Sequence, residues 1–478
     1  MRPNALGQDE IQPFSRRIPI IVAAAFFMEM LDGTVVATAL PAIAHSLGEP
    51  TLNLTASITV YLVAMAVFVP TAGWASARLG ARNLFAAAIA VFTLASLLCG
   101  VSPSFRALMA ARLLQGVAAA FMSPVGRLVV LRETPKNRII DAISIIVWPA
   151  LIAPVIGPAL GGFVTTYASW RWIFLLNIPF GILGVLLVLR FVPKHAQEAH
   201  TSFDAAGFLL TALALATLLY ALSLLGQRNG SVMGVALCLA VGILSGIAAV
   251  RHALRYPTPI LDLAAVRIPT FALSTVSAGL LARTAISMTP FLLPLMFQIG
   301  FGASAFDAGM MLLVYMAGNL AMKSVTTPIL RRFGFRDVLR VNGWLCVVSL
   351  VACGTLSPAE PRTVIYAVLF AAGLTRSMHF TSVNTLAFAD IPGALLPGAT
   401  TLAALVQQTA GALGVALAGV ALASLQAIRA GNLLELPDFQ HALFASAGLM
   451  AIAVVWLLRL PPDAGAELSR HSQPPPGP

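Results

Sequence analysis

IPIIVAAAFFMEMLDGTVVATAL, residues 18–40, is an apolar run long enough to cross a bilayer as a helix, which takes about 20 residues. Two carboxylates, Glu29 and Asp32, stand in its middle. A charged group at that depth costs on the order of 2.5–3.5 kcal/mol on insertion scales, so each acid needs a compensating reason to be there. Lying three apart, the two are neighbours on one helix face. The run is longer than the roughly 7–15-residue apolar core of a secretory signal, and cleavage behind it would discard both acids.

The rest of the chain has the same character. Of its 478 residues, 59% are hydrophobic and only 10% charged, against about 25% charged in a soluble domain. Fourteen apolar runs of spanning length can be read, near 18–40, 53–74, 83–101, 106–130, 139–165, 171–191, 204–225, 231–250, 270–296, 307–329, 337–356, 363–388, 397–426 and 441–460. The connections are short and marked by Pro, Gly and Asn. No alternating ten-residue pattern of a membrane barrel is present. The expectation is an all-α integral membrane protein with 14 transmembrane helices. Cys99, Cys238, Cys346 and Cys353 all fall in apolar runs and read as small buried hydrophobes.

The 29 Lys and Arg residues orient these spans. Five lie inside them: Arg112, Arg127, Arg283, Lys323 and Arg376. Five flank loops of one parity, and the other 19 lie on the side of the N-terminus, which places both termini in the cytoplasm. The net charge of +11 is thus a topology signal and not a nucleic-acid footprint. An internal repeat supports the layout. RLGAR, residues 78–82, follows span 2, and RFGFR, residues 332–336, follows span 10. Eight helices separate the two loops, where two six-helix bundles in direct succession would give six. A helix pair therefore separates the halves. The expected division is a tail at 1–17, a six-helix bundle at 18–191, a linker with spans 7 and 8 at 192–269, a second six-helix bundle at 270–460 and a disordered tail at 461–478.

Depth identifies a partner for the acids. Asp32 lies about 12 Å from the end of the outward-running span 1, and Arg112 about 9 Å into the inward-running span 4. The two can meet at one level, with Glu29 about 4–5 Å deeper. A structural ion pair and a protonatable site both account for such an arrangement. Burial and a like-charged neighbour raise a carboxyl's proton affinity, which suits proton loading and release.

Several motifs then align with one family. LDGTVVATALP at 31–41, GWASARLGAR at 73–82, RLLQG at 112–116, APVIGPALGG at 153–162, SWRWIFLLNIPFG at 169–181, MHFTSVNTLAFADIP at 378–392 and LVQQTAGALGVAL at 405–417 occur in order. Together they resemble the major facilitator superfamily, and within it the fourteen-span drug:proton antiporter branch. The resemblance covers nearly the whole chain. It implies two rocking bundles of major facilitator type around a midplane cavity. It also implies proton coupling at Asp32, with Glu29 and Arg112, and gating by two groups. One is the loop set Gly73, Arg78, Gly80 and Arg82. The other is the span-5 set Pro154, Gly157, Pro158, Gly161 and Gly162, where small residues admit close packing and prolines bend the helix. Two positions depart from the pattern: Ala77 replaces the loop motif's acid, and Ala153 replaces the first glycine of the span-5 motif.

The second half carries Arg283, Arg376, His379 and Lys323 within its spans but no mid-span acid. These bases either pair with backbone carbonyls or bind an anionic or zwitterionic group. Arg283, Arg376, His379, Met288 and Phe291 are the substrate-binding candidates, although Met and aromatic residues at helical spacing also read as core.

The leading expectation is a proton-coupled secondary active exporter of amphipathic drugs or toxic compounds, driven by the proton gradient without a cofactor or bound metal. The alternative is a dedicated transporter of one anionic or zwitterionic metabolite. A monomer in the cell's inner membrane is expected, in contact with lipid. None of the three lysines follows a glycine, so no phosphate-binding GK motif of an ATP-driven pump exists. No HExxH or metal-spaced His/Cys cluster suggests an enzyme.

Overall fold

The computed structural model describes residues 16–135, 138–194, 202–225, 231–429, 431, 433–461 and 464–465. The expected tails therefore lie almost wholly outside the described residues. Among those described, thirteen helices are long and apolar enough to cross a membrane. They are α1 (Arg17–Leu47), α2 (Thr55–Leu79), α3 (Ala81–Gly100), α4 (Phe105–Arg132), α5 (Ile139–Tyr167), α6 (Trp172–Phe191) and α7 (Ala205–Leu225). Then follow α8 (Val232–Arg255), α9 (Pro269–Gly300), α10 (Ala305–Gly354), α11 (Arg362–Leu386), α12 (Gly393–Ile428) and α13 (Leu436–Leu457).

The count differs from the sequence reading at one place. Runs 307–329 and 337–356 belong to the single 50-residue helix α10, interrupted only at Gly334. Gly334 has φ 72° and ψ 167°, and Gly80, between α2 and α3, has φ 80° and ψ 135°. These are the central glycines of the two RxGxR loops. A side chain is strained at positive φ, so glycine is what lets each helix reverse there without a longer loop. The repeat seen in sequence is thus also a repeat of backbone conformation.

Helices α1–α6 pack among themselves, and so do α9–α13; the main joints between the two sets are α5 on α10 and α2 on α12. At the end of the molecule holding the C-terminus of α1, one apolar cluster crosses both sets. It includes Leu40 and Ile43 of α1, Phe291 and Phe297 of α9, Met311 of α10 and Leu443 of α13. At the RxGxR end the apolar clusters separate. Val22, Phe26 and Phe85 pack within the first set, and Leu330, Phe335 and Leu457 within the second. Where α2 meets α12, Ala66 still packs with Leu402 and Leu405, so the conformation is sealed at one end and divided over most of the other. Helix α7 lies against both α2 and α12, and α8 packs on α7. The Phe68 and Phe208 rings, 5.4 Å apart, fix α7 to α2. Exposed Leu209, Leu237 and Leu244 give this pair an apolar outer surface, suited to lipid.

Candidate functional site: a buried acid pair and an uncompensated basic cluster

Asp32 and Arg112 are in contact. Arg112 Nη1 lies 2.6 Å from Asp32 Oδ2, and both side chains are 1% exposed. Helix α1 supplies the acid and α4 the base, so the pair ties two helices at mid-depth. The carboxylate's other oxygen accepts from Gln115 Nε2 at 2.9 Å and Asn177 Nδ2 at 3.0 Å. Both amides also donate to Ser96 Oγ, at 2.8 and 3.3 Å. Arg112 in turn donates to Gln115 Oε1 at 2.6 Å and to the Ser57 carbonyl at 3.3 Å. Its guanidinium sits 4.3 Å from the Tyr61 ring centroid. Buried charge is tolerable when its donors and acceptors are satisfied in this way. Gln115 and Asn177 belong to motifs quoted above, but nothing in the sequence singled them out. The available signal was that each is an amide in an otherwise apolar span.

Glu29 stands apart from this network. It is 1% exposed, and both its oxygens accept from Ser123 Oγ of α4, at 3.0 and 2.9 Å. Among the described residues it forms no ion pair. Arg127, one turn beyond Ser123, is the cation whose field reaches it.

The span-5 motif is the joint between α1 and α10. A Cβ at Gly157 would fall 2.3 Å from Thr34 Oγ1, and one at Gly161 would fall 2.8 Å from the Val35 carbonyl. On the other flank, a Cβ at Gly162 would fall 2.2 Å from the Ala305 carbonyl. Gly309 of α10 likewise meets the Pro158 carbonyl. The Phe306 amide donates to Thr166 Oγ1 at 3.1 Å, closing the same seam. Pro154 lies toward the divided end and lines a cavity. The loop set is open in this conformation: Gly73 and Gly80 have free space where a Cβ would stand. Arg78 covers the Trp74 ring, and Arg82 donates to the Leu189 carbonyl.

The second-half candidates divide. Arg283 is satisfied: Nη1 donates to the Ser274 carbonyl at 2.8 Å and Nη2 to Asn384 Oδ1 at 2.7 Å. The Ser274 carbonyl belongs to a π-helical turn, Ala272–Val276, whose widened backbone leaves carbonyls available to side chains. Met288 and Phe291 are 3% and 2% exposed and pack in the cluster that seals the α1 end. Arg376 and His379 differ from these. Arg376 Nε has no hydrogen-bond partner among the described residues, and Nη1 lies 3.8 Å from Met316 Sδ. Both ring nitrogens of buried His379 are without a partner there too. Among the described residues Lys323, on α10, donates only to Thr381 Oγ1, at 2.6 Å. It also lines, with Pro154, Met316 and Asn319, a cavity of about 60 Å³ between α5 and α10.

Comparison with known proteins agrees with this architecture. The Major Facilitator Superfamily model matches residues 22–415. "Putative multidrug resistance protein MdtD" of Pectobacterium carotovorum subsp. carotovorum (strain PC1) is 38% identical over 404 residues, covering 84% of this chain and 86% of that one. The protein of the same name in Escherichia coli O6:H1 (strain CFT073) is 36% identical over 446 residues, covering 93% and 94%. Among solved structures, the POT family transporter PepTSo aligns with a TM-score of 0.69 at 13% identity, over 96% of this chain and 99% of that one. A D-xylose-proton symporter aligns with a TM-score of 0.67 at 13% identity, over 94% and 98%. At such identities these structures speak to the fold alone.

Proposed function

This chain belongs to the major facilitator superfamily, and we propose that it works there as a proton-driven exporter of amphipathic toxic compounds. The relatives named for multidrug resistance, matched over most of both chains, support export of drug-like molecules. The observation that carries the coupling is the contact of Asp32 with Arg112 inside a fully hydrogen-bonded, buried network.

Protonating Asp32 removes the charge that holds Arg112, Gln115 and Asn177 together. The strain passes along a short path. Thr34, two residues on, packs against Gly157 of α5, and five residues further along α5, Gly162 packs against Ala305 of α10. Proton arrival at α1 therefore biases the α5–α10 seam that closes one end of the cavity. Each proton moved through 100 mV supplies about 2.3 kcal/mol, which sustains roughly a 50-fold substrate gradient. The interruption at Gly334 divides α10 into two crossings. This gives fourteen spans in two six-helix bundles, with α7 and α8 as the inserted pair. Both termini then face the cytoplasm of the cell's inner membrane, and the sealed end faces outward. A transporter dedicated to one anionic or zwitterionic metabolite is the second reading, favoured by bases on α10 and α11 that form no ion pair among the described residues.

Everted vesicles with an imposed proton gradient test the first reading. Adding a lipophilic cation such as ethidium collapses part of the gradient in the wild type and not in Asp32→Asn. Undiminished collapse in that variant would remove Asp32 from the coupling path.

A further inference from the structure

A cavity of about 320 Å³ lies at the sealed end, where the two sets of helices meet the linker helix α7. The first turns of α2 and α4 wall it from the first set, α12 from the second and the last turn of α7 from the linker. The joint of α2 with α12 runs along it: a Cβ at Gly419 would stand 3.6 Å from Thr55 Oγ1, ordinary contact distance. The cavity is shallow in the membrane. Glu49 follows the last residue of α1 by two positions, and Arg106 is the second residue of α4. Thr59, the deepest lining residue on α2, lies about 6 Å past that helix's first residue. This is the level at which phospholipid headgroups meet the acyl chains.

The two charged residues that line it do not use each other. Glu49 and Arg106 share the cavity, yet no ion pair joins them. Glu49 accepts only from Asn53 Nδ2, at 2.9 Å on Oε2, which leaves Oε1 without a partner among the described residues. Arg106 forms neither a hydrogen bond nor an ion pair among those residues. A carboxylate and a guanidinium that share a cavity without touching leave room between them for a ligand bearing both opposite charges. The guanidinium fork matches a phosphate, and a primary ammonium brings three donors to the carboxylate and its amide neighbour. Ser223 of α7 adds a hydroxyl to the same lining. Inside the spans the walls are largely apolar, with Leu222 of α7 and Ala416 and Val420 of α12.

We propose that this cavity seats the zwitterionic headgroup of an aminophospholipid. Its phosphate lies on Arg106, its ammonium on Glu49 and Asn53, and the start of its acyl chains against Leu222, Ala416 and Val420. Because the walls come from both sets of helices and from the linker, a bound headgroup holds α2, α7 and α12 together. It therefore favours the conformation in which those walls are assembled, the one sealed at this end. Helix α7 gains a role in this way, since it supplies the wall that closes the α2–α12 joint into a seat.

The test uses the purified full chain in nanodiscs holding equal amounts of phosphatidylethanolamine and phosphatidylglycerol. After transfer to detergent, the lipid retained by the intact protein is counted by native mass spectrometry. Phosphatidylglycerol has the phosphate but not the ammonium, so the wild type should retain phosphatidylethanolamine about tenfold better, the scale of one charge-assisted contact. Glu49→Gln should erase that preference. Arg106→Gln should lower retention of both lipids, and Arg106→Lys should restore part of it. Glu49 is half-buried and Arg106 exposed, both at helix ends, so these variants leave the fold intact. Equal retention of the two lipids by the wild type would overturn the proposal, as would an undiminished preference in Glu49→Gln. Free phosphoethanolamine is added as a second arm. If it displaces the retained lipid at micromolar concentration, the seat belongs to a soluble zwitterion and the lipid assignment falls. If it does not, the acyl chains contribute and the assignment stands. Neither arm involves transport, so the outcome is independent of the vesicle experiment.

Discussion

Helices α1 and α11 both carry charge to the middle of the membrane, and they compensate it in opposite ways. Asp32 on α1 meets a cation and two amides, and each partner has further partners of its own. Arg376 on α11 meets a sulfur and a ring. The first arrangement is complete without any ligand, every charge in it meeting an opposite charge or an amide. The second has no partner of opposite charge among the described residues. The first half thus balances its buried charge internally, and the second does not.

Stability measurements offer the sharpest way to break that contrast. Arg112→Ala leaves a buried carboxylate without its cation, a change that costs about 3–5 kcal/mol. Adding Asp32→Asn to it should recover much of the loss, because the orphaned charge is then gone. Arg376→Ala removes a charge that has no ionic partner among the described residues, so its thermal midpoint in detergent should stay level or rise. A midpoint for Arg376→Ala as low as that of Arg112→Ala would mean the second half hides a compensating contact. Next in size is the seam. The Cβ of Gly162→Leu would fall 2.2 Å from the Ala305 carbonyl, so α5 and α10 must part at the sealed end. A cysteine introduced by Thr166→Cys should then react several-fold faster with an impermeant maleimide. Gly73→Ala, with open space at its Cβ position, should leave that rate unchanged.

Smaller again is the difference between the two acids of α1. Glu29 leans on one hydroxyl, and Gln can accept from Ser123 nearly as well. Glu29→Gln should fold normally and lower substrate-driven proton flux by no more than about tenfold, or about 1.4 kcal/mol of barrier. A complete loss, equal to that expected of Asp32→Asn, would make the two acids one unit and spoil the distinction drawn between them.

The Asp32–Arg112 contact was legible in the sequence because helix geometry converts residue number into depth, and two opposite charges at one depth have few other partners. The RxGxR glycines were legible as a repeat, and their shared positive φ is the physical content of that repeat. Other features had no comparable signal. Gln115, Asn177 and Ser96 come from three helices, and neutral polar residues are cheap enough in a span to occur for many reasons. The partners of Arg283 depend on a π-helical turn at Ala272–Val276, and hydropathy carries no trace of a widened turn. Met288 and Phe291 had the chemistry of a greasy pocket, and packing used it for the seal instead.

The linker gives the mildest test, because its buried charge lies outside the spans. Asp204, just before α7, accepts from the Gly207 amide at 2.9 Å, the Ile260 amide at 3.1 Å and His252 Nε2 at 2.7 Å. Burial works to raise its carboxyl, but the two amides and the imidazole prevail and hold it below the ordinary value of 3.8. A folded-state value lowered in this way stabilises the protein fully above the ordinary carboxylate range. The contribution disappears as the pH falls below 3.8 and passes through the lowered value. Asp204→Asn keeps an acceptor but not the charge, so it should cost about 1 kcal/mol at neutral pH. The gap to the wild type should close on acidification below pH 4. Thermal unfolding followed from pH 7 to pH 3 reads this directly. A gap that persisted unchanged through that range would mean that shape, and not ionisation, is what α7 and α8 need from Asp204.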